Sequence, residues 1–364
     1  MEAVVHAVDA ERKREVDRDA LMGFLEAHID GISCSSGSAG SAGSLEIRRF
    51  PSGLSNLTFL VRVGGRELVL RMPPSGKKAA SAHDMGREYT LLEALHPVFP
   101  FCPKPLVYAC DGQVMDCPFY IMERIPGVVI HKTLPVKPAI SPVAAEKLCI
   151  RMMDLMAHLH LLDYRLPGLE TFAKPKGYIL RQVQGWAGRF REFKTPDVPD
   201  FGEVIAWLLD RRPPDTLHPC IVHNDYKLDN LVLDPEDPVS VKGILDWEMA
   251  AVGDPLMDLG SAMAYWIDRD DPEEMQPLAT QPSAAPGMLS RRRMIGRYAE
   301  ATGRKVENFD FYYTFGLFRL ACIVQQIYYR CYHGQVTESR FADLGARVAV
   351  YERAARRAMR GLGI

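Results

Sequence analysis

The sequence predicts an α+β protein of two lobes: an N-terminal antiparallel sheet carrying one helix, then a larger, mostly helical C-terminal lobe. Three observations carry that expectation. A chain of 364 residues is long for one average domain and short for three. From Leu45 to about Glu123 the apolar residues fall in short or alternating runs split by turn residues, the pattern of strands. After Gly127 they recur at helical spacing almost to the end. With 47% hydrophobic and 25% charged residues, the make-up is that of a globular protein able to bury a core.

Taken in order, Val16, Leu21, Phe24, Leu25 and Ile29 lie at helical spacing, and a Ser/Gly/Ala-rich run over 31–44 follows as a flexible linker. Strands are expected over 45–50, 57–63, 67–72, 106–109 and 119–123, with Gly64-Gly65 and Asp111-Gly112 as hairpin turns. One helix, 83–95, interrupts them and is closed by Pro97. Helices are then expected over 141–162, 176–193, 201–211, 255–266, 288–302, 308–332 and 339–360. A single β interlude, 221–246, holds strands at 231–233 and 240–245 around the turn 234–238. The division is a leading helix and linker (1–44), an N-terminal lobe (45–126) and a C-terminal lobe (127–364), with a ligand expected between the lobes.

Forty-four basic and 46 acidic side chains leave a net charge of −2, which disfavours a nucleic-acid partner. The eight cysteines are scattered without a C-x-x-C pair, as reduced thiols of a reducing compartment are. Residues 1–20 lack the apolar core of a signal peptide, and the longest apolar stretch, 312–329, is broken by Arg319, Gln325 and Gln326. A cytoplasmic protein with no membrane partner is expected.

The chemistry concentrates in His223-Asn224-Asp225-Tyr226-Lys227-Leu228-Asp229-Asn230, followed 16 positions later by Asp246 in Leu245-Asp246-Trp247-Glu248. The first block fits the H-x-D-x-x-x-x-N catalytic loop of kinases. Phosphoryl transfer needs a carboxylate to accept the attacking hydroxyl's proton, and oxygen ligands to hold Mg²⁺ against the phosphates of ATP. Asp225 suits the first role; Asn230 and Asp246 suit the second. Asp225, Asp229 and Asn230 also read as plain turn formers, but a second carboxylate on a hairpin of suitable length weighs against that. His223 reads as a structural core histidine.

These blocks, with Gly253-Asp254-Pro255-Leu256-Met257-Asp258-Leu259, resemble the signatures of the aminoglycoside phosphotransferase and choline kinase-like superfamily. The likeness runs over about 45–360 and is closest to the branch whose kinase domain also occurs fused to acyl-CoA dehydrogenases. It implies a protein-kinase-like fold, ATP and Mg²⁺ as cofactors, a small-molecule acceptor and an acyl-CoA dehydrogenase partner. By position it implies a phosphate-covering loop at Ser52, Gly53, Ser55 and Asn56, which alone reads equally as a hairpin turn. Arg71 stands where the superfamily usually has a Lys on the α/β-phosphates, replacing a point charge with a planar fork. Glu88 is its implied partner, or a solvated helix-face carboxylate. Main-chain groups of Glu123 and Ile125 are the implied adenine contacts, Lys227 an implied cation near the transferred phosphate, and Asp254 and Asp258 implied structural acids bracing the loop.

For the acceptor two readings stand. The acidic run at 268–274 suits a cationic acceptor of aminoglycoside or choline type, or is simply a solvated loop. Arg319, Gln326 and Arg330 share one face of an otherwise apolar helix, and Arg181 with Gln182 lies beside Trp186; these suit an anionic hydroxylated metabolite such as a hydroxyacyl-CoA, or internal acids. A protein kinase is disfavoured by the lack of G-x-G-x-x-G, D-F-G and A-P-E. A non-catalytic nucleotide-binding pseudokinase is permitted by Arg71 and opposed by the intact Asp225, Asn230 and Asp246.

Overall fold

Two adjacent glycines set the first hairpin. Gly64 and Gly65 have φ of +56° and +73°, the left-handed backbone that a two-residue turn matched to strand twist requires. The structure, a computed structural model, describes residues 16–32, 45–50, 56–74, 84–135, 139–335 and 343–363. The chain separates into two compact units, Met1–Pro126 and Gly127–Ile364.

In the first unit β1 (Glu46–Arg49), β2 (Leu57–Val63), β3 (Arg66–Met72), β4 (Pro105–Ala109) and β5 (Phe119–Glu123) form one antiparallel sheet, ordered β1-β2-β3-β5-β4. The expected antiparallel sheet is present, with β5 rather than β4 inserted beside β3, where Arg71 pairs with Tyr120. Helix α1 (Arg18–His28), capped by the Asp17 side chain, buries Leu21, Met22 and Leu25 in one core with Val61, Leu70 and Phe119. The leading helix thus shares the core of the N-terminal unit. Helix α2 (Met85–Leu95) packs on β4 and β5 and buries Leu91, Leu92, Leu95 and Glu88.

The second unit holds α3 (Pro142–Leu161), α4 (Tyr178–Phe193), α5 (Gly202–Asp210), α6 (Pro255–Ala264), α7 (Arg291–Thr302), α8 (Phe309–Tyr332) and α9 (Leu344–Ala358). Two small antiparallel sheets carry the loops: β6 (Val128–Val129), β8 (Leu231–Leu233) and β9 (Val241–Ile244) form one, β7 (Cys220–Val222) and β10 (Ala251–Gly253) the other. Helix α8 is apolar nearly all round and packs against α4, α6 and α9, as a central helix does. It meets α6 at paired glycines: a Cβ on Gly260 would lie 2.3 Å from the Tyr312 carbonyl oxygen, and one on Gly316 2.4 Å from that of Gly260. Only glycine lets two backbones approach so closely. Among the described residues every cysteine is a free thiol, and no helix is long and apolar enough to cross a membrane.

Candidate active site

The buried strand β7 delivers His223, which is fully buried. Its Nε2 lies 3.0 Å from the Leu245 carbonyl oxygen, and its Nδ1 accepts the Asp225 amide N–H at 3.2 Å. A carbonyl only accepts and an amide N–H only donates, so the ring is neutral with its proton on Nε2. Burial depresses its pKa, against the pull of Asp258 and Asp225. The ring edge meets Trp247 at 4.6 Å. His223 is therefore the structural histidine the sequence suggested.

Asp258, on α6, fixes the main chain of the loop. Its Oδ2 accepts the His223 amide at 2.6 Å and its Oδ1 the Asn224 amide at 2.8 Å. Burial pushes this carboxyl up, but His160, at 3.2 Å, and His223 outweigh it and hold the pKa below the ordinary value. Asp254 caps α6 by accepting the Leu256 amide. Asn224 occupies the left-handed region at φ +63°; its side chain donates to the Met249 carbonyl and accepts from the Tyr178 hydroxyl. This dense bracing aims the next residue, Asp225.

The Asp225 side chain is 12% exposed and carries different partners on its two oxygens. Oδ2 meets Lys227 Nζ at 3.0 Å and accepts from Asn230 Nδ2 at 3.0 Å. Oδ1 accepts the Tyr265 hydroxyl at 2.7 Å and has Arg319 Nη2 at 4.0 Å. Burial opposes ionisation, yet the charges of Lys227 and Arg319 and the Tyr265 hydrogen bond prevail and hold the pKa at about 2. The Lys227 pKa is raised, burial opposing and Tyr265 and Asp225 favouring the charge. At neutral pH the cluster is an ionised carboxylate ringed by donors.

Asn230 donates to both Asp225 Oδ2 and the Asp225 carbonyl, at 3.0 and 2.8 Å. Both partners are acceptors, which fixes the amide's orientation and leaves its oxygen on the other side of the group. Asn230 opens β8, and its carbonyl accepts the Leu245 amide at 2.7 Å, so Asp246 follows at the root of the β8–β9 hairpin. Asp246 has φ +69°, a conformation costing a non-glycine residue about 1–2 kcal/mol; such strain gathers where a side chain must be aimed. One amide oxygen and one carboxylate suit Mg²⁺, which keeps waters and takes phosphate oxygens for its remaining positions. Among the described residues no cluster of three or more His, Cys, Asp or Glu side chains offers a fuller metal cage.

In the first unit Arg71 Nε pairs with Glu88 Oε2 at 3.2 Å, and both side chains are buried. Glu88 is thus not a solvated helix-face carboxylate. Asn56 is buried at the start of β2, whereas Ser52, Gly53 and Ser55 lie outside the described residues. Glu123 ends β5 with its N–H donated to the Lys104 carbonyl, and Ile125 lies just past the strand. Of the three arginines singled out for the acceptor, Arg319 alone stands at Asp225. The Arg181 guanidinium donates to the carbonyls of Lys174 and Lys176. Arg330 is half-buried in the last turn of α8.

Sequence reasoning missed Tyr265, His160, Tyr178 and Gln281, whose Oε1 accepts the Leu228 amide at 2.9 Å. One signal was present: Tyr265 follows Asp258 by seven positions, which puts both on one helical face.

Comparison with known proteins gives a consistent pattern. The Phosphotransferase enzyme family matches residues 46–294. Acyl-CoA dehydrogenase family member 10 of Mus musculus is 33% identical over 320 residues, covering 86% of this chain and 29% of that protein. Acyl-CoA dehydrogenase family member 11 of Pongo abelii is 30% identical over 322 residues, covering 87% of this chain and 40% of that protein. The chain therefore spans less than half the length of these relatives. Among solved structures, a Ralstonia eutropha JMP134 protein assigned to the aminoglycoside phosphotransferases superposes with a TM-score of 0.77 at 28% identity, over 95% of this chain and 99% of that one.

Proposed function

Because the chain belongs to the Phosphotransferase enzyme family and has the protein-kinase-like fold of the Ralstonia structure, we propose that it moves the γ-phosphate of ATP to a hydroxyl of a small molecule. In this reading residues 45–126 hold the nucleotide, and residues 127–364 supply the catalytic groups and the acceptor site. The observation that carries it is Asp225: an ionised carboxylate with a lysine on one oxygen and an amide that orients it.

The acceptor hydroxyl donates to Asp225 Oδ2. A carboxylate held at a pKa of about 2 does not strip the proton beforehand. It orients the hydroxyl and takes the proton late, as the O–P bond forms, which suits the loose transition state of phosphoryl transfer. Lys227 is within reach of the transferred phosphate and stabilises its charge. Arg71, steadied by Glu88, meets the α/β-phosphates with its fork, and Ser52, Gly53, Ser55 and Asn56 are the further phosphate-binding residues of this reading. The carbonyl of Glu123 and the main chain of Ile125 face the adenine. Mg²⁺, when bound to Asn230 and Asp246, neutralises phosphate charge.

The acceptor is an anionic hydroxylated metabolite, with a hydroxyacyl-CoA as the leading form. Arg319 supports this: its guanidinium is 2% exposed, lies 5.3 Å from the Trp186 ring, and keeps Nη1 buried without a hydrogen-bond partner. A buried unpaired donor of this kind calls for an oxygen ligand, and its charge repels a cationic acceptor. Arg330, about 16 Å farther along α8, suits the far end of a long anion. The dehydrogenase relatives, of which the chain spans 29% and 40%, make an acyl-CoA dehydrogenase the partner to test.

Purified protein with ATP, Mg²⁺ and a panel of hydroxyacyl-CoAs, choline, sugars, homoserine and aminoglycosides is expected to release ADP only with the anionic acceptors. Asp225→Ala is expected to lower that turnover by about a thousandfold, and Arg319→Met to raise the acceptor KM by about tenfold. ADP binding without acceptor-dependent turnover, unchanged in Asp225→Ala, would favour the pseudokinase.

A further inference from the structure

We propose that Tyr265 is a positioning residue for phosphoryl transfer: it holds Asp225 by Oδ1 and so reserves Oδ2 for the hydroxyl proton. The inference rests on the phosphotransferase reading and adds a residue to it. The two carboxylate oxygens are not equivalent. Oδ2 is shared between Lys227 and Asn230, each at 3.0 Å. Of these two, Lys227 has a phosphate to turn to, and its departure opens a donor position on Oδ2 for the hydroxyl. Asn230 stays, because its N–H groups face Asp225 while its oxygen faces away.

Oδ1 is held by a neutral hydroxyl donor, which no phosphate draws away. Tyr265 donates to it at 2.7 Å from the C-terminal end of α6, and Arg319 stands behind at 4.0 Å. An ionised carboxylate only accepts, so the phenol must be the donor. Two donors on opposite oxygens, Asn230 and Tyr265, fix the plane of the carboxylate, whereas one alone leaves it free to rotate. The Tyr265 ring also lies under Lys227 Nζ at 4.9 Å, a cation–π distance. One side chain therefore touches both catalytic groups. Its helix supplies Asp258 as well, which binds the His223 and Asn224 amides. Thus α6 grips the loop by its main chain and by its working side chain.

In the step itself the acceptor O–H bond breaks and its proton goes to Asp225 Oδ2. The oxygen's electron pair forms the new P–O bond, and the γ-phosphorus bond to ADP breaks with its pair leaving on ADP. Tyr265 exchanges no proton.

The test is Tyr265→Phe, which keeps the ring and removes the donor. ADP release is followed with the hydroxyacyl-CoA panel and in acceptor-free ATP hydrolysis, where water stands in for the hydroxyl. Misorientation of a reacting group costs about a hundredfold, so kcat is expected to fall by about 30-fold or more in both assays. ADP affinity by calorimetry and the ATP KM are expected to stay within about twofold, since Phe retains the ring beneath Lys227. Tyr265→Leu, which loses the ring too, is expected to raise the ATP KM as well. Crystal structures of both proteins with Mg²⁺ and ADP are expected to show the Asp225 carboxylate rotated in Tyr265→Phe. That readout stands even if the wild type turns over nothing, so failure of the phosphotransferase reading is told apart from failure of this one. A Tyr265→Phe kcat within twofold of wild type, a kcat loss matched by lost ADP affinity, or an unmoved carboxylate would overturn the proposal.

Discussion

At the scale of single residues, His223 shows how a buried titratable group makes the fold sensitive to acid. Its neutral ring joins the Leu245 carbonyl to the Asp225 amide, and its pKa is depressed by burial. The unfolded chain, with an ordinary histidine near 6.5, therefore binds more protons than the native state below that pH. Stability is full above the unfolded pKa and is lost as pH falls below it. Stability is therefore expected to fall between pH 6.5 and 5.5 through this residue. Urea unfolding at both pH values should show a larger loss in the wild type than in His223→Gln. Asp225, Asn230 and Asp246 were legible in the sequence because their spacing matches a pattern confined to one loop and one hairpin. Tyr265 and His160 were not, because their partners lie 40 and 98 positions away. The seven-residue spacing of Tyr265 from Asp258 marks a shared helical face but does not record the contact with Asp225, which only folding makes.

At the scale of elements, most of the helices and strands followed from apolar period, and their ends moved by a few residues where caps decide. The N-terminal helix boundary is set by Asp17, for example, whose carboxylate accepts two amide hydrogens. Strands β6, β7 and β10 escaped notice because two or three residues carry no readable period. The role of α1 was equally hidden: a Ser/Gly linker follows it in sequence, yet Leu21 and Leu25 are fully buried against the sheet. The α6–α8 crossing matters most for the site, because α6 carries Asp258 and Tyr265 and α8 carries Arg319. A methyl at Gly316 would meet the Gly260 carbonyl oxygen at 2.4 Å and Ala264 Cβ at 2.9 Å. Gly316→Ala is therefore expected to cost about 2–3 kcal/mol in a denaturant melt. It should also lower kcat, by moving the Tyr265 and Arg319 side chains away from Asp225.

At the scale of the whole molecule, the chain joins a sheet-based unit to a helical one, and the proposed function divides its tasks between them. Nucleotide affinity then depends on metal in a way that heat reveals. A ligand at a hundred times its Kd stabilises the native state by about 2.7 kcal/mol, so ADP with Mg²⁺ should raise Tm by several degrees. Chelation with EDTA, or Asp246→Ala, should remove most of that rise in a thermal-shift measurement. The hydrogen-bonding and charged partners given above for the Asp225 carboxylate, namely Lys227, Asn230, Tyr265 and Arg319, all come from after Gly127. The Asp225 carboxylate is thus tuned within one unit. Chimeras that take the whole of residues 1–126 from another family member, the leading helix included because it packs into the core of that unit, should change nucleotide preference while inheriting this chain's acceptor chemistry unaltered.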